Sequence, residues 1–182
     1  FTAHYPRTKA IAEQRVRQAN GPDLATVALR PHLVWGPGDN HLLPRLVRRA
    51  RAGRLRFVGK ASKRVDATYI DNAAQAHLDA LDRAVPGADC AGRAYFISND
   101  APWQLDDIDN ALLNAGGLPT VTRRIPYRVA HALGRVLEIV YGTLRLAAEP
   151  PMTRFVAEQL ATAHWFDISA AKRDLGYQPK VS

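Results

Sequence analysis

Cysteine is almost absent from this 182-residue chain, since Cys90 is the only one. A single thiol excludes a disulfide within the chain. No apolar run approaches the roughly 20 residues that a membrane-spanning helix needs, and no basic start leads into an apolar stretch as in a signal peptide. With 47% hydrophobic and 23% charged residues, these absences favour a globular protein of a reducing compartment, and we expect a cytoplasmic location.

Metal-ligand spacing is also lacking. The six histidines form no His-x-x-x-His pair, and none lies near Cys90 in the sequence. Because structural and catalytic zinc sites draw on such clusters, we expect no metal site.

Acidic residues are outnumbered by basic ones, 17 to 25, which gives a formal net charge of +8. Arginines cluster between Arg45 and Arg56. They fit nucleic-acid binding, a solvated helix face, or attraction for an acidic substrate. Because no aromatic residues interleave with them and no recognised binding motif accompanies them, we expect no nucleic-acid partner.

Helical and extended patterns alternate along the chain. Apolar residues at helical spacing predict helices over 5–20, 73–84, 105–115, 153–163 and 168–176, and one beginning near Pro44. Short apolar runs predict strands, of which Leu24–Leu29 is the most continuous and is typical of a strand buried on both faces of a parallel sheet. Such alternation predicts an α/β fold with parallel pairing.

A Tyr-x-x-x-Lys pair, Tyr5 and Lys9, opens the first predicted helix. Residues four apart share one helix face. A neighbouring ammonium group stabilises a phenolate, so the pair can exchange a proton with a substrate hydroxyl or carbonyl oxygen. Accidental Tyr-Lys pairs are common, and the surrounding sequence must decide between the two interpretations.

The order of motifs around this pair resembles the extended short-chain dehydrogenase/reductases. The pair is followed by the apolar run, by RPHLVWGPGD and by DATYIDNAAQAHLDAL. The final HWFDISAAKRDLGYQPKVS is similar to the 3β-hydroxysteroid dehydrogenase/isomerase-like branch. Within that branch, EPPMTRFVAEQLATAHWFD resembles bacterial sterol dehydrogenases and 2-alkyl-3-oxoalkanoate reductases.

The resemblance implies the carboxyl-terminal part of a doubly wound Rossmann-type parallel sheet with a mixed α/β substrate-binding cap. Residues 1–182 are then one portion of a single NAD(P)-binding domain, with the cap mainly over 100–182. The family's glycine-rich turn and catalytic serine or threonine are expected before Phe1. The isolated chain is therefore expected to be inactive.

The family's site residues carry over by position. Tyr5 corresponds to the catalytic acid/base, and Lys9 to the lysine that holds the tyrosine and the nicotinamide ribose. The implied cofactor, NAD or NADP, would be bound by Tyr5, Lys9, Pro31, His32 and Leu33.

Two further residues are candidates for substrate binding. His41 follows the RPHLVWGPGD loop, and Arg64 lies beside the family's substrate region and could attract an acidic substrate. Asp71 is expected to cap the helix that follows DATYID.

The resemblance implies an oxidoreductase that interconverts a secondary alcohol and a ketone on a small hydrophobic substrate of the 3-hydroxysteroid or 2-alkyl-3-oxoalkanoate type. A nucleotide-sugar epimerase or dehydratase of the same fold is one alternative, and a non-catalytic basic protein that binds RNA or membrane is another. The apolar stretch Ile125–Leu146 fits a core helix, a lid over a greasy substrate, or a helix at a membrane surface. Pairing into a homodimer is left open.

Overall fold

The computed structural model describes residues 4–61, 63–146, 148 and 150–181. In chain order its elements are α1 (His4–Gln18), β1 (Val27–Pro31), β2 (Val34–Trp35), α2 (Leu42–Arg51), β3 (Phe57–Val58), β4 (Arg64–Val65), β5 (Thr68–Tyr69), α3 (Ile70–Arg83), β6 (Arg93–Ile97), β7 (Trp103–Gln104), α4 (Leu105–Ala115), β8 (Arg124–Ile125), α5 (Tyr127–Thr143), α6 (Arg154–Ala161) and α7 (Ser169–Leu175). None of these helices is both long enough and apolar enough to cross a membrane.

The chain divides into two compact units. The first comprises Phe1–Asp39, Asp66–Pro102 and Trp165–Ser182, and the second comprises Asn40–Val65 and Trp103–His164. The sequence predicted a cap mainly over 100–182. Of that range, 103–164 lies in the second unit, while 100–102 and 165–182 lie in the first. Residues 40–65, from earlier in the chain, also belong to the second unit.

Parallel strand pairs form the framework of the first unit. β1 pairs with β6 from Val27↔Arg93 to Pro31↔Ile97, and β2 pairs with β5. Both α1 and α3 contact β1. Parallel strands flanked by helices confirm the predicted α/β class.

The expectation for Leu24–Leu29 was wrong in detail. The strand begins at Val27, and Leu24 is exposed. Gly21 and Leu24 close a tight turn instead, in which the Gly21 amide donates to the Leu24 carbonyl at 2.9 Å. β1 itself is half-buried because, among the described residues, it pairs with β6 alone.

The core of the first unit lies where α3, β6 and α7 meet. Tyr95, Ile97, Ile168, Leu175 and Tyr177 are its large buried side chains. The fully buried Tyr177 keeps its hydroxyl satisfied by donating to the Ser98 carbonyl at 3.0 Å. Cys90 is also buried in this core. The carboxyl-terminal segment from Ile168 to Tyr177 therefore contributes to the first unit's core.

The expected helix cap at Asp71 was wrong. α3 begins at Ile70, with Tyr69 at the N-cap position and no side-chain cap hydrogen bond. Asp71 lies in the first helical turn, where a carboxylate still interacts favourably with the helix dipole.

The second unit combines short strand pairs with packed helices. β3 pairs with β8 in parallel, and β4 pairs with β7 antiparallel. α5 packs against α6, and Gly134 permits this contact, because a Cβ atom there would lie 2.6 Å from the Thr153 carbonyl carbon. The Thr153 hydroxyl caps α6 by accepting from the Val156 amide at 3.1 Å.

Charged side chains are buried inside the second unit. The Lys63 ammonium donates to the Val58 and Leu160 carbonyls at 2.5 and 2.6 Å and lies 3.9 Å from the Asp106 carboxylate. Arg124 pairs with the same carboxylate. Burial, together with the charge of Asp106, raises the pKa of Asp109 to about 7. The interior of this unit therefore contains a group that titrates near neutral pH.

Candidate active site

Tyr5 and Lys9 lie on one face of α1, as the spacing predicted. The Lys9 ammonium is 5.7 Å from the centroid of the Tyr5 ring. Tyr5 is 65% exposed, so its phenol is open to a ligand. One turn of helix therefore presents a phenol and an ammonium group side by side to solvent.

An ion pair ties this helix to the strand beside it. Arg30 donates two hydrogen bonds to the Glu13 carboxylate, at 2.6 and 2.5 Å. These bonds are the main cause that lowers the pKa of Glu13, and they raise that of Arg30. Glu13 lies one turn beyond Lys9 on α1, so this ion pair fastens the helix that carries Tyr5 to β1. Sequence reasoning missed it, although the spacing of Tyr5, Lys9 and Glu13 placed all three on one face.

His32 follows β1 and is held at both its backbone and its ring. Its amide donates to the Ile97 carbonyl at 3.2 Å. Its Nδ1 lies 2.9 Å from the Asp66 carbonyl. A carbonyl can only accept a hydrogen bond, so Nδ1 carries the proton in this contact. Of its neighbours, Pro31 ends β1 and Leu33 has a positive φ of 44°, which an L-residue adopts at a cost.

An aromatic wall, formed by Phe96 and Phe166, stands next to His32. The two rings stack with centroids 4.1 Å apart and an interplanar angle of 6°. The edge of His32 meets Phe166 at 5.3 Å, and the Arg30 guanidinium lies 5.0 Å from the centre of Phe96. Neither phenylalanine was predicted as a site residue, although Phe166 belongs to the carboxyl-terminal motif.

Asp66 connects the aromatic wall to His32. Its carboxylate accepts a hydrogen bond from the Phe166 amide at 2.7 Å, while its carbonyl meets the His32 ring. Burial raises the pKa of the Asp66 carboxyl, although the hydrogen bond from Phe166 opposes this effect.

These groups surround one open cavity of about 930 Å³ in the first unit. This volume falls in the range of ligand-binding clefts. Its walls include Tyr5, Lys9, Glu13, Arg30, His32, Phe96 and Phe166. The structure thus brings together three of the predicted cofactor residues, Tyr5, Lys9 and His32, around a space of ligand size.

The two predicted substrate residues belong to the second unit. His41 occupies the N-cap position of α2 and is exposed. Arg64 is an exposed residue of β4 whose carbonyl accepts from the His164 amide at 2.8 Å. Their part in substrate binding stays a prediction.

Comparison with known proteins decides the family. The model of the 3-beta hydroxysteroid dehydrogenase/isomerase family matches residues 1–127. The chain belongs to this family. A 2-alkyl-3-oxoalkanoate reductase of Stenotrophomonas maltophilia is 56% identical over the whole chain, which covers 55% of that protein. A decarboxylating sterol-4-alpha-carboxylate 3-dehydrogenase of Candida albicans is 36% identical over 97% of the chain and 52% of that protein.

Solved structures confirm the fold of this family member. A dTDP-glucose 4,6-dehydratase double mutant from Streptomyces venezuelae, solved with NAD bound, matches 98% of the chain and 46% of its own with a TM-score of 0.62 at 19% identity. This likeness shows a shared Rossmann-type fold. The chain spans about half the length of the curated relatives it matches.

Proposed function

We propose that the whole protein is an NAD(P)-dependent oxidoreductase that interconverts a secondary alcohol and a ketone on a hydrophobic substrate. The observation that carries this proposal is the pairing of Tyr5 with Lys9 on the wall of a cavity of ligand size. Membership of the family and the names of the relatives, a reductase and a dehydrogenase, support the reaction class.

The residues around the cavity fit a nicotinamide cofactor. Tyr5, Lys9 and His32 line one space, and Pro31 and Leu33 flank His32 in the chain. Lys9 supplies an ammonium donor for ribose hydroxyls, and hydrogen bonds from the His32 amide and ring hold the segment from Pro31 to Leu33. When bound, the cofactor supplies the hydride.

Side chains of α1 carry out the proton transfer. In the reducing direction, the Tyr5 phenol donates its proton to the substrate carbonyl oxygen, and the Lys9 ammonium stabilises the phenolate that remains. Glu13 and Arg30 hold the helix in place. The chain therefore contributes the acid/base, its stabilising cation and their positioning.

We propose a 2-alkyl-3-oxoalkanoate as the substrate, ahead of a 3-oxosteroid. Support comes from the 56% identity to a 2-alkyl-3-oxoalkanoate reductase. The second unit then forms most of the substrate cap, with His41 and Arg64 as binding residues. An arginine that attracts a carboxylate fits an oxo acid better than a neutral sterol.

We also propose that the protein is located in the cytoplasm. Whether it forms a homodimer is a separate question, which size-exclusion chromatography with light scattering answers.

Replacing Tyr5 by Phe in the whole protein tests the reaction. We expect turnover of a 2-alkyl-3-oxo acid, followed by NADH or NADPH oxidation, to fall at least about a hundredfold, because the proton donor is lost. Cofactor binding, measured by fluorescence titration, should change little. Tyr127→Phe is the matched control, since Tyr127 is a partly exposed tyrosine of the second unit. Full turnover in the Tyr5→Phe protein would refute the role of Tyr5.

A further inference from the structure

The outer face of α5 carries an apolar stripe. Its members are Val129, Leu133, Val136, Ile139 and Val140, with Leu144 directly after the helix, and each is between 39% and 64% exposed. The spacings of three and four residues place most of them on one side of the helix. Contiguous exposed apolar side chains of this number mark an interaction site more often than chance.

The face of α5 that packs against the rest of the second unit lies beside the stripe. Ala130 is fully buried among Val58, Met152 and Ala157, and Leu137 packs on the same cluster. Gly134, also buried, lies against the start of α6. Because the core contacts use this face, the apolar stripe is additional to the core of this unit.

Positive charge borders the stripe. Arg128 and Arg135, seven residues apart, are exposed on α5 and lie along one edge of the stripe at the helical period. The acidic residue of this helix, Glu138, is engaged by the amide and the guanidinium of Arg154 at 2.8 and 2.7 Å. The outer face is thus apolar at its centre and cationic at its edge.

The net charge of the chain is concentrated in the second unit. That unit contains fifteen Lys or Arg residues and six Asp or Glu residues, for a formal charge of +9, whereas the first unit contains ten and eleven. A partner with negative charge is attracted to the unit that carries α5, and a second copy of the same unit is repelled.

We infer that α5 docks on the surface of a membrane rich in anionic phospholipid, with the stripe lying in the headgroup and acyl boundary. An apolar face with basic residues at its edge is the arrangement of helices that lie in the plane of a membrane interface. This inference does not rest on the reaction proposed above, because it requires neither Tyr5 nor a cofactor. It supplies a reason for exposed apolar groups that the core leaves uncovered.

Co-sedimentation of the intact protein with sucrose-loaded vesicles tests this inference. The vesicles contain phosphatidylglycerol and phosphatidylcholine in one series and phosphatidylcholine alone in the other. We expect binding to the anionic series that weakens as salt is raised. Arg128→Gln with Arg135→Gln should lower the partition coefficient roughly 30-fold, given the contribution of each basic residue near an anionic surface. Leu133→Gln with Val136→Gln should lower it about tenfold or more.

Leu78→Gln with Leu81→Gln is the matched control. Both leucines are exposed on α3, in the first unit, and their replacement should leave vesicle binding unchanged. Since all six substituted positions are exposed, circular dichroism melting curves should agree among the variants. Absence of binding to anionic vesicles, or equal loss in the control pair, would overturn the inference. A dimer that the α5 substitutions dissociate, without vesicle binding, would assign the stripe to a second copy instead.

Discussion

Asp109 should make the stability of this protein depend on pH near neutrality. The side chain lies on α4 and is 9% exposed. Burial is the largest cause that raises its pKa from 3.8 to about 7, the Asp106 charge adds to it, and the Lys63 ammonium opposes it. Since the folded state holds the proton more tightly than the unfolded state, the stability that protonation contributes is fully present below about pH 4 and is lost as pH rises through about 7.

The size of the effect follows from the pKa. A difference of one pKa unit corresponds to about 1.4 kcal/mol. The rise of the Asp109 pKa from 3.8 to about 7 therefore sets an upper limit of about 4 kcal/mol on the change in the free energy of unfolding. Asp109→Asn keeps the shape of the protonated carboxyl and removes the charge. We expect the variant to match the parent protein near pH 4 and to exceed it by about 2 kcal/mol or more at pH 8. The attraction between Lys63 and the Asp109 carboxylate already lowers this pKa, so the limit includes it.

Urea unfolding of the intact protein at several pH values from 4 to 8.5 measures this difference. Asp107→Asn is the control, because Asp107 is an exposed neighbour on the same helix. The difference in free energy of unfolding between this variant and the parent should be nearly constant over the pH range. A difference between Asp109→Asn and the parent that does not change with pH would refute the reasoning. So would a variant that is destabilised throughout the range.

Two further predictions concern one contact in the second unit and one proposed substrate-binding residue. Gly134→Ala should lower the free energy of unfolding, measured by thermal melting, by about 1–3 kcal/mol, because its methyl group would overlap the Thr153 backbone. Gly142→Ala is the control, since there is open space around Gly142, and it should be neutral or stabilising in the same measurement. Arg64→Gln should raise KM for a 2-alkyl-3-oxo acid about tenfold, as expected for loss of a charge-assisted hydrogen bond, and leave KM for a 3-oxosteroid unchanged. Arg54→Gln, at another exposed arginine, is the control for general loss of charge, and an equal effect of both substitutions on the acid would refute the assignment.

Helices of this protein were predictable because their signals are local. α1 and α4 follow apolar residues three and four apart, and the Tyr5–Lys9 pair is a feature of one helical turn. The two-residue strands β2, β4 and β7 were not predicted. They are too short to show alternation, and their hydrogen-bond partners lie about 30 to 40 residues away in the chain.

The sequence alone indicated the family, the α/β class and the proposed catalytic pair, since each depends on residue identity and near-neighbour spacing. The tertiary structure decided the surroundings of that pair. Glu13 meets Arg30 across 17 residues, and Asp66 meets Phe166 across 100. The first contact requires α1 to pack on β1, and the second requires the carboxyl-terminal segment to reach Asp66. Because the free energy of each contact depends on burial and distance in the folded chain, the cavity and its aromatic wall become visible only in three dimensions.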